Sequence, residues 1–162
     1  SLIFPGMVDL HVHAPQYAFR GMCMDLELMD WLNRYTFPEE EKYEDLEYAQ
    51  QAYGMFVDAV KNGATTRSCI FATRHREATG LLMKLMEDTG LVSYVGKVNM
   101  DREATEKLTE KSALMSALDT WGWLNDIKDG FVRTKPILTP RFIPCSRSLR
   151  RITLARGQSF VL

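Results

Sequence analysis

His11 and His13 are imidazoles one residue apart. In a β-strand successive side chains alternate faces, so residues at this spacing project together and can bind one metal ion through ring nitrogens. The run Met7-Val8-Asp9-Leu10-His11-Val12-His13 alternates in that way, with Val8, Leu10 and Val12 on an apolar face and Asp9, His11 and His13 on the other. Pro5 and Gly6 mark a turn leading into it. Two histidines in a strand are equally consistent with polar residues on a wet face, and spacing alone does not separate the two readings. Asp9 is either an acceptor that orients one ring or a structural residue near the floor of the sheet.

The elements that must position the pair alternate along the chain. Pro38 with Glu39, Glu40 and Glu41 predicts a helix start, and Leu46, Ala49, Tyr53, Phe56, Val57 and Val60 continue it on one face until Asn62 and Gly63. Ala64 to Ala72 reads as a second strand; Ala78, Leu81, Leu82 and Leu85 stripe a second helix that stops at Gly90; Leu91 to Val98 reads as a third strand. Leu108, Met115, Leu118 and Trp121 predict a third helix, and Val132 to Thr139 a fourth strand interrupted by Pro136. Strand and helix in repeated alternation predict an α/β fold with a parallel sheet, an incomplete (β/α)8 TIM-type barrel comprising about the first four β/α units. The carboxyl ends of barrel strands are where such folds build active sites, and His11 and His13 lie at that end of the first strand.

The residues Pro5 to Gln16 resemble the opening barrel strand of the amidohydrolases, a superfamily of metal-dependent hydrolases, and the continuation Ala14-Pro15-Gln16-Tyr17 is similar to the guanine deaminases within it. Trp31 to Pro38, Asn62 to Thr66 running on to Phe71-Ala72-Thr73, and Thr139-Pro140-Arg141-Phe142 agree with that narrower match, so the resemblance covers the chain from about Phe4 to Pro144. It implies hydrolysis of guanine to xanthine and ammonia with one zinc ion held partly by His11 and His13. A purine pocket would map onto His13, Ala14, Pro15 and Gln16 after the first strand and onto Arg141 and Phe142 after the fourth. It further implies a homodimer, and it places a third histidine, a proton-shuttling glutamate and an aspartate beyond residue 162. The chemistry of the mapped residues suits a purine. Gln16 offers donors and an acceptor, Arg141 offers donors to a carbonyl oxygen, and Phe142 can stack on a flat base. Taken singly, each has a plainer reading as a solvated glutamine, a surface-paired arginine and a core phenylalanine. His75 can approach the pocket or simply precede a helix. Lys135, about 20 Å before Arg141 at strand rise, is rejected as a metal-bridging ligand.

Composition limits the other classes. Twenty basic against twenty-one acidic residues give a net charge of −1, with no field to draw the chain onto nucleic acid or an anionic membrane. Cys23, Cys69 and Cys145 are odd in number and widely spaced, against both a disulfide framework and a thiolate zinc site, and a reducing cytoplasm is the expected home. A cytidine-deaminase zinc site is disfavoured because Pro144-Cys145 is followed by Ser148 where the second cysteine belongs. Residues 1–144 are expected to form one partial barrel domain. Residues 145–162, with four arginines and no acidic group from Arg147 onward, are expected to be a divergent basic tail arising from truncation or a frame shift. On that expectation the chain alone binds zinc weakly and does not deaminate guanine. Alternatives are another amidohydrolase, a deaminase or chlorohydrolase acting on a different heterocycle, and a noncatalytic fragment.

Overall fold

Parallel pairing organises the chain. The computed structural model describes residues 3–100 and 104–139. The strands β1 (Met7–His13), β2 (Thr65–Phe71), β3 (Val92–Gly96) and β4 (Thr134–Pro136) form one sheet in the order β1-β2-β3-β4, with every neighbouring pair parallel. The helices are α1 (Leu28–Trp31), α2 (Phe37–Glu41), α3 (Leu46–Lys61), α4 (Arg76–Thr89) and α5 (Ala113–Asp126). Successive strands joined by helical crossovers give the four β/α units expected from the sequence. Arg141, Phe142 and the tail from residue 145 lie outside the described residues.

Burial of apolar faces explains most of this arrangement. Ala49, Ala52, Tyr53 and Phe56 of α3 and Ala78, Leu82, Met83 and Met86 of α4 pack with Ile70 of β2 and Val95 of β3 into the main core. Gly90 ends α4 in the left-handed conformation, φ 75°, which a residue with a Cβ adopts at a cost. Gly6 is required where β1 begins, because a Cβ there would collide with the Thr66 side chain on β2.

Four expectations need correction. The helix predicted from Pro38 onward is two helices, because Asp45 takes extended angles (φ −80°, ψ 114°) and its carboxylate accepts the Glu47 N–H at 2.9 Å, capping a new helix at Leu46. The apolar face of β1 is mostly uncovered: Val8 is 53 % and Leu10 76 % exposed, and only Val12 packs against the core, because β1 is an edge strand and α3 and α4 lie over β2 and β3. The third helix begins at Ala113, capped by Ser112, so Leu108 precedes it, and its buried face is Ser116, Ala117, Thr120 and Trp123 while Met115 and Leu118 face outward. Regular pairing in β4 ends at Pro136, which has no N–H to donate, although Ile137 N–H still bonds to Val95 O at 2.9 Å. No helix among the described residues is long and apolar enough to cross a membrane, and Cys23 and Cys69 are free thiols.

Glu87 on α4 sets the start of β4. Its carboxylate accepts the backbone N–H of Val132 at 2.9 Å, Arg133 at 3.0 Å and Thr134 at 2.7 Å. Burial pushes this carboxyl up, but the N–H groups of Thr134, Val132 and Arg133 outweigh that and hold it below its ordinary value of 4.5. A carboxyl whose folded pKa lies below its unfolded one contributes stability that is complete above the unfolded value and is lost as pH falls through the folded one. Stability of the wild-type chain, measured by unfolding at a series of pH values, should therefore fall as pH drops below 4.5. Glu87→Gln should lower stability at neutral pH by about 1 kcal/mol, a low figure because the carboxylate is partly solvated, and should flatten the acid limb.

A histidine cleft at the strand tips

The carboxyl end of β1 brings the two imidazoles together as the alternation requires. His11 Nε2 and His13 Nε2 are 3.1 Å apart, with ring centroids 5.0 Å apart. Both rings lie on Phe71 at the tip of β2, His13 stacked at 4.9 Å and 17°, His11 tilted at 4.4 Å and 40°. The pairing His13↔Phe71 puts that phenyl beneath them. Two nitrogen ligands at zinc distance on a tetrahedral ion stand about 3.3 Å apart, so the pair has the spacing of two ligands to one ion. Among the described residues no group of three or more His, Cys, Asp or Glu is arranged to hold a metal.

Asp9 serves the backbone. The β1–β2 register slips between Asp9 and Val12, where β1 spends three residue steps against two from Ser68 to Ile70. Such bulges leave ladder groups unpaired and re-aim side chains. Asp9 Oδ1 accepts the His11 N–H at 3.0 Å, which satisfies a donor within the irregular stretch.

The chain leaves β1 through a 3₁₀ turn, Ala14–Phe19, with Pro15 in its first turn. Ala14 is fully buried in the main core, and Pro15 is buried with its carbonyl accepting from Tyr43 Oη at 3.4 Å. Both sit behind the surface that Gln16 and Tyr17 present. Gln16, Tyr17 and Arg20 line a cleft of about 830 Å³ together with His11 and His13. The Arg20 guanidinium lies 3.9 Å over the Tyr17 ring and donates to Tyr17 O at 3.0 Å, which fixes it at the cleft.

A helical excursion builds the next wall. Trp31, Leu32, Thr36 and Glu40 all line the cleft; they come from α1, from a π-helical turn over Leu32–Thr36, and from α2. π-turns recur at functional sites because the wider turn re-aims side chains. Trp31 Nε1 donates to Met22 O at 3.3 Å, and its ring meets Phe19 at 5.5 Å, tying the excursion to the turn after β1. Val98 and Thr139, beyond the tips of β3 and β4, also line the cleft.

Residue by residue, the structure brings His11, His13 and Gln16 into one cleft, with Ala14 and Pro15 supporting it from the core. Sequence reasoning missed Arg20, Thr36, Glu40 and the Phe71 platform as site residues. Glu40, 2 % exposed, carried no signal beyond helix-start charge, whereas the aromatic at the tip of a second strand was a findable one. His75 is the N-cap residue of α4 and lines a separate polar cleft with Glu44, Arg74 and Arg76, where burial and then Arg74 lower its pKa. Lys135 reaches back to Phe131 O at 3.5 Å, away from the strand tips.

The chain is similar to known proteins along most of its length. Residues 2–143 match the amidohydrolase family model. The chain is 37 % identical over 151 residues to guanine deaminase of Rattus norvegicus, covering 92 % of this chain and 33 % of that protein. It is 40 % identical over 145 residues to guanine deaminase of Dictyostelium discoideum, covering 89 % of this chain and 32 % of that protein. The crystal structure of guanine deaminase from C. acetobutylicum with guanine bound in the active site superposes with a TM-score of 0.83 and 43 % identity, over 93 % of this chain and 37 % of that one. The chain thus spans about a third of the length of these relatives.

The shared phenyl platform yields a prediction. Phe71→Ala should cost about 3 kcal/mol of stability in urea unfolding, the low end for a buried phenylalanine, and should broaden the ring resonances of both His11 and His13. Broadening of one ring alone would show that they are held separately.

Proposed function

The chain belongs to the amidohydrolase family, and from that membership we propose that it forms the amino-terminal catalytic segment of a guanine deaminase, which hydrolyses guanine to xanthine and ammonia. The observation that carries this reading is the His11–His13 pair, 3.1 Å apart at the tip of β1, opening onto the cleft that also takes Gln16. His11 and His13, with further ligands, would hold a zinc ion, which would supply the Lewis acidity that makes water nucleophilic near neutral pH. The chain's own residues do the positioning. Trp31, Leu32 and Phe71 give the cleft apolar walls suited to a flat base. Gln16 offers an amide donor and acceptor to the purine edge. Arg141 and Phe142, the first two residues after Pro140, are assigned to the guanine carbonyl and to stacking on the base. The guanine deaminases matched above support guanine over other heterocycles. The same family reading extends to a cytoplasmic location and a homodimer.

The test is ammonia release from guanine by the full-length protein loaded with zinc, run beside adenine, cytosine and a triazine. Xanthine should form from guanine alone. His11→Ala and His13→Ala should each lose bound metal and activity together. Gln16→Ala should lower kcat/KM about 10- to 100-fold, the loss of one or two hydrogen bonds, while metal content stays unchanged. Turnover that survives either histidine substitution would sink the metal assignment, and turnover of another heterocycle in preference to guanine would sink the substrate.

A further inference from the structure

Three observations meet where β3 ends. The Lys97 side chain is fully buried, and its ammonium lies 3.3 Å from Glu110 Oε1 and 2.9 Å from Asp119 Oδ2, and donates to Val98 O at 3.3 Å. Glu110 Oε2 accepts from the Met100 N–H at 2.7 Å and from the Ser116 hydroxyl. Asn99 Oδ1 accepts from Thr120 Oγ1 and lies 3.1 Å from Ser116 Oγ. The exit of β3, the loop before α5 and the first two turns of α5 are thus joined by one buried polar hub.

The second observation is how β4 leaves the sheet. Ile137 N–H bonds to Val95 O at 2.9 Å and Thr139 Oγ1 donates to Lys97 O at 3.0 Å. Gly96 lets this happen, since a Cβ there would stand 2.5 Å from Thr139 Cγ2 and 3.2 Å from Ile137 Cγ1. The third observation is that Val98 and Thr139, which the hub holds directly, line the cleft with His11 and His13.

A buried charged hub is a poor device for stability alone, because well-packed apolar side chains of similar volume often do as well or better. Its directional bonds select one geometry. We propose that Lys97 is a positioning residue for the substrate. Through Glu110, Asn99 and the Lys97 carbonyl it holds Val98 and Thr139 in the binding wall, without acting on the His11–His13 pair. This rests on the guanine deaminase reading. The hub belongs to β3, β4 and α5, whereas the histidines belong to β1, which is two strands away in the sheet.

The separation makes the test specific. In the full-length protein, Lys97→Met should raise KM for guanine about tenfold with kcat within about threefold and metal content unchanged, and Lys97→Arg should recover part of the KM. Thr139→Val, which removes only the hydroxyl link between β4 and the hub, should move KM in the same direction, and it decides the matter if Lys97→Met does not fold. An unchanged KM in Lys97→Met or in Thr139→Val overturns the proposal, as does a fall in kcat and metal content with KM constant. Absence of guanine turnover by the wild type would count against the functional reading instead. The positioning role is then decided by amide exchange: faster exchange at Ile137 in Lys97→Met with β1 unaffected supports it, and unchanged exchange overturns it.

Discussion

The parallel ladder that sets His13 opposite Phe71 is the constraint on which the rest of the molecule depends. Because every neighbouring pair of strands is parallel, all strands deliver their carboxyl ends to the same edge of the sheet. Residues as remote in sequence as His13, Phe71, Val98 and Thr139 therefore reach one cleft. The slip between Asp9 and Val12 is part of that delivery. It breaks the regular ladder just below the histidines, and Asp9 takes up the His11 N–H there. The bond is exposed, so it contributes modestly, about 1 kcal/mol, but it gives the donor a fixed partner where the ladder slips.

Below the strand tips the protein is held together by ordinary means. Alanines and methionines of α3 and α4 close over Ile70 and Val95, the small residues letting the helices approach the sheet and the methionines filling the gaps. Nearer the tips the chemistry of burial changes. A second apolar cluster of Leu32, Phe37, Phe71, Val98 and Met100 lies under the cleft, and beside it the interior is occupied by Lys97, Asn99, Glu110, Ser116 and Thr120. Apolar packing holds the frame, and directional hydrogen bonds hold the loops that the frame presents.

That change of chemistry explains what was legible in the sequence. β1 was readable to the residue, since its alternation and the Pro5-Gly6 turn agree with one another. The inward faces and the ends of α3 and α4 were readable because each carries a long apolar stripe and a recognisable stop at Asn62-Gly63 or Gly90. The face of α5 was not readable, because its inward side carries hydroxyls that pair with Asn99 and Glu110, so the apolar stripe picks out Met115 and Leu118, which face outward. The break at Asp45 was obscured by the carboxylates after Pro38. Glu39 and Glu40 are buried, which their role as a helix-start signal did not reveal. In the site, His11, His13 and Gln16 could be found because type, spacing and position coincide. Thr36 and Glu40 could not, since they owe their place to a π-turn whose sequence, Leu-Asn-Arg-Tyr-Thr, carries no distinguishing pattern.

The two halves of the cleft are supported by different physics, and this follows from what each half must hold. The β1–β2 side presents two rings to a point, and a flat phenyl against both is enough to fix their planes and exclude water from one face. The β3–β4 side must hold an irregular segment that has already left the sheet, where ladder bonds have run out after Ile137. Apolar contacts alone are nondirectional and would let such a segment slide. Hydrogen bonds from Thr139 to the Lys97 carbonyl, with the lysine itself pinned by two carboxylates, restore the lost direction. The bare Gly96 backbone is the complement of that bond, since only without a Cβ can Thr139 come close enough to make it.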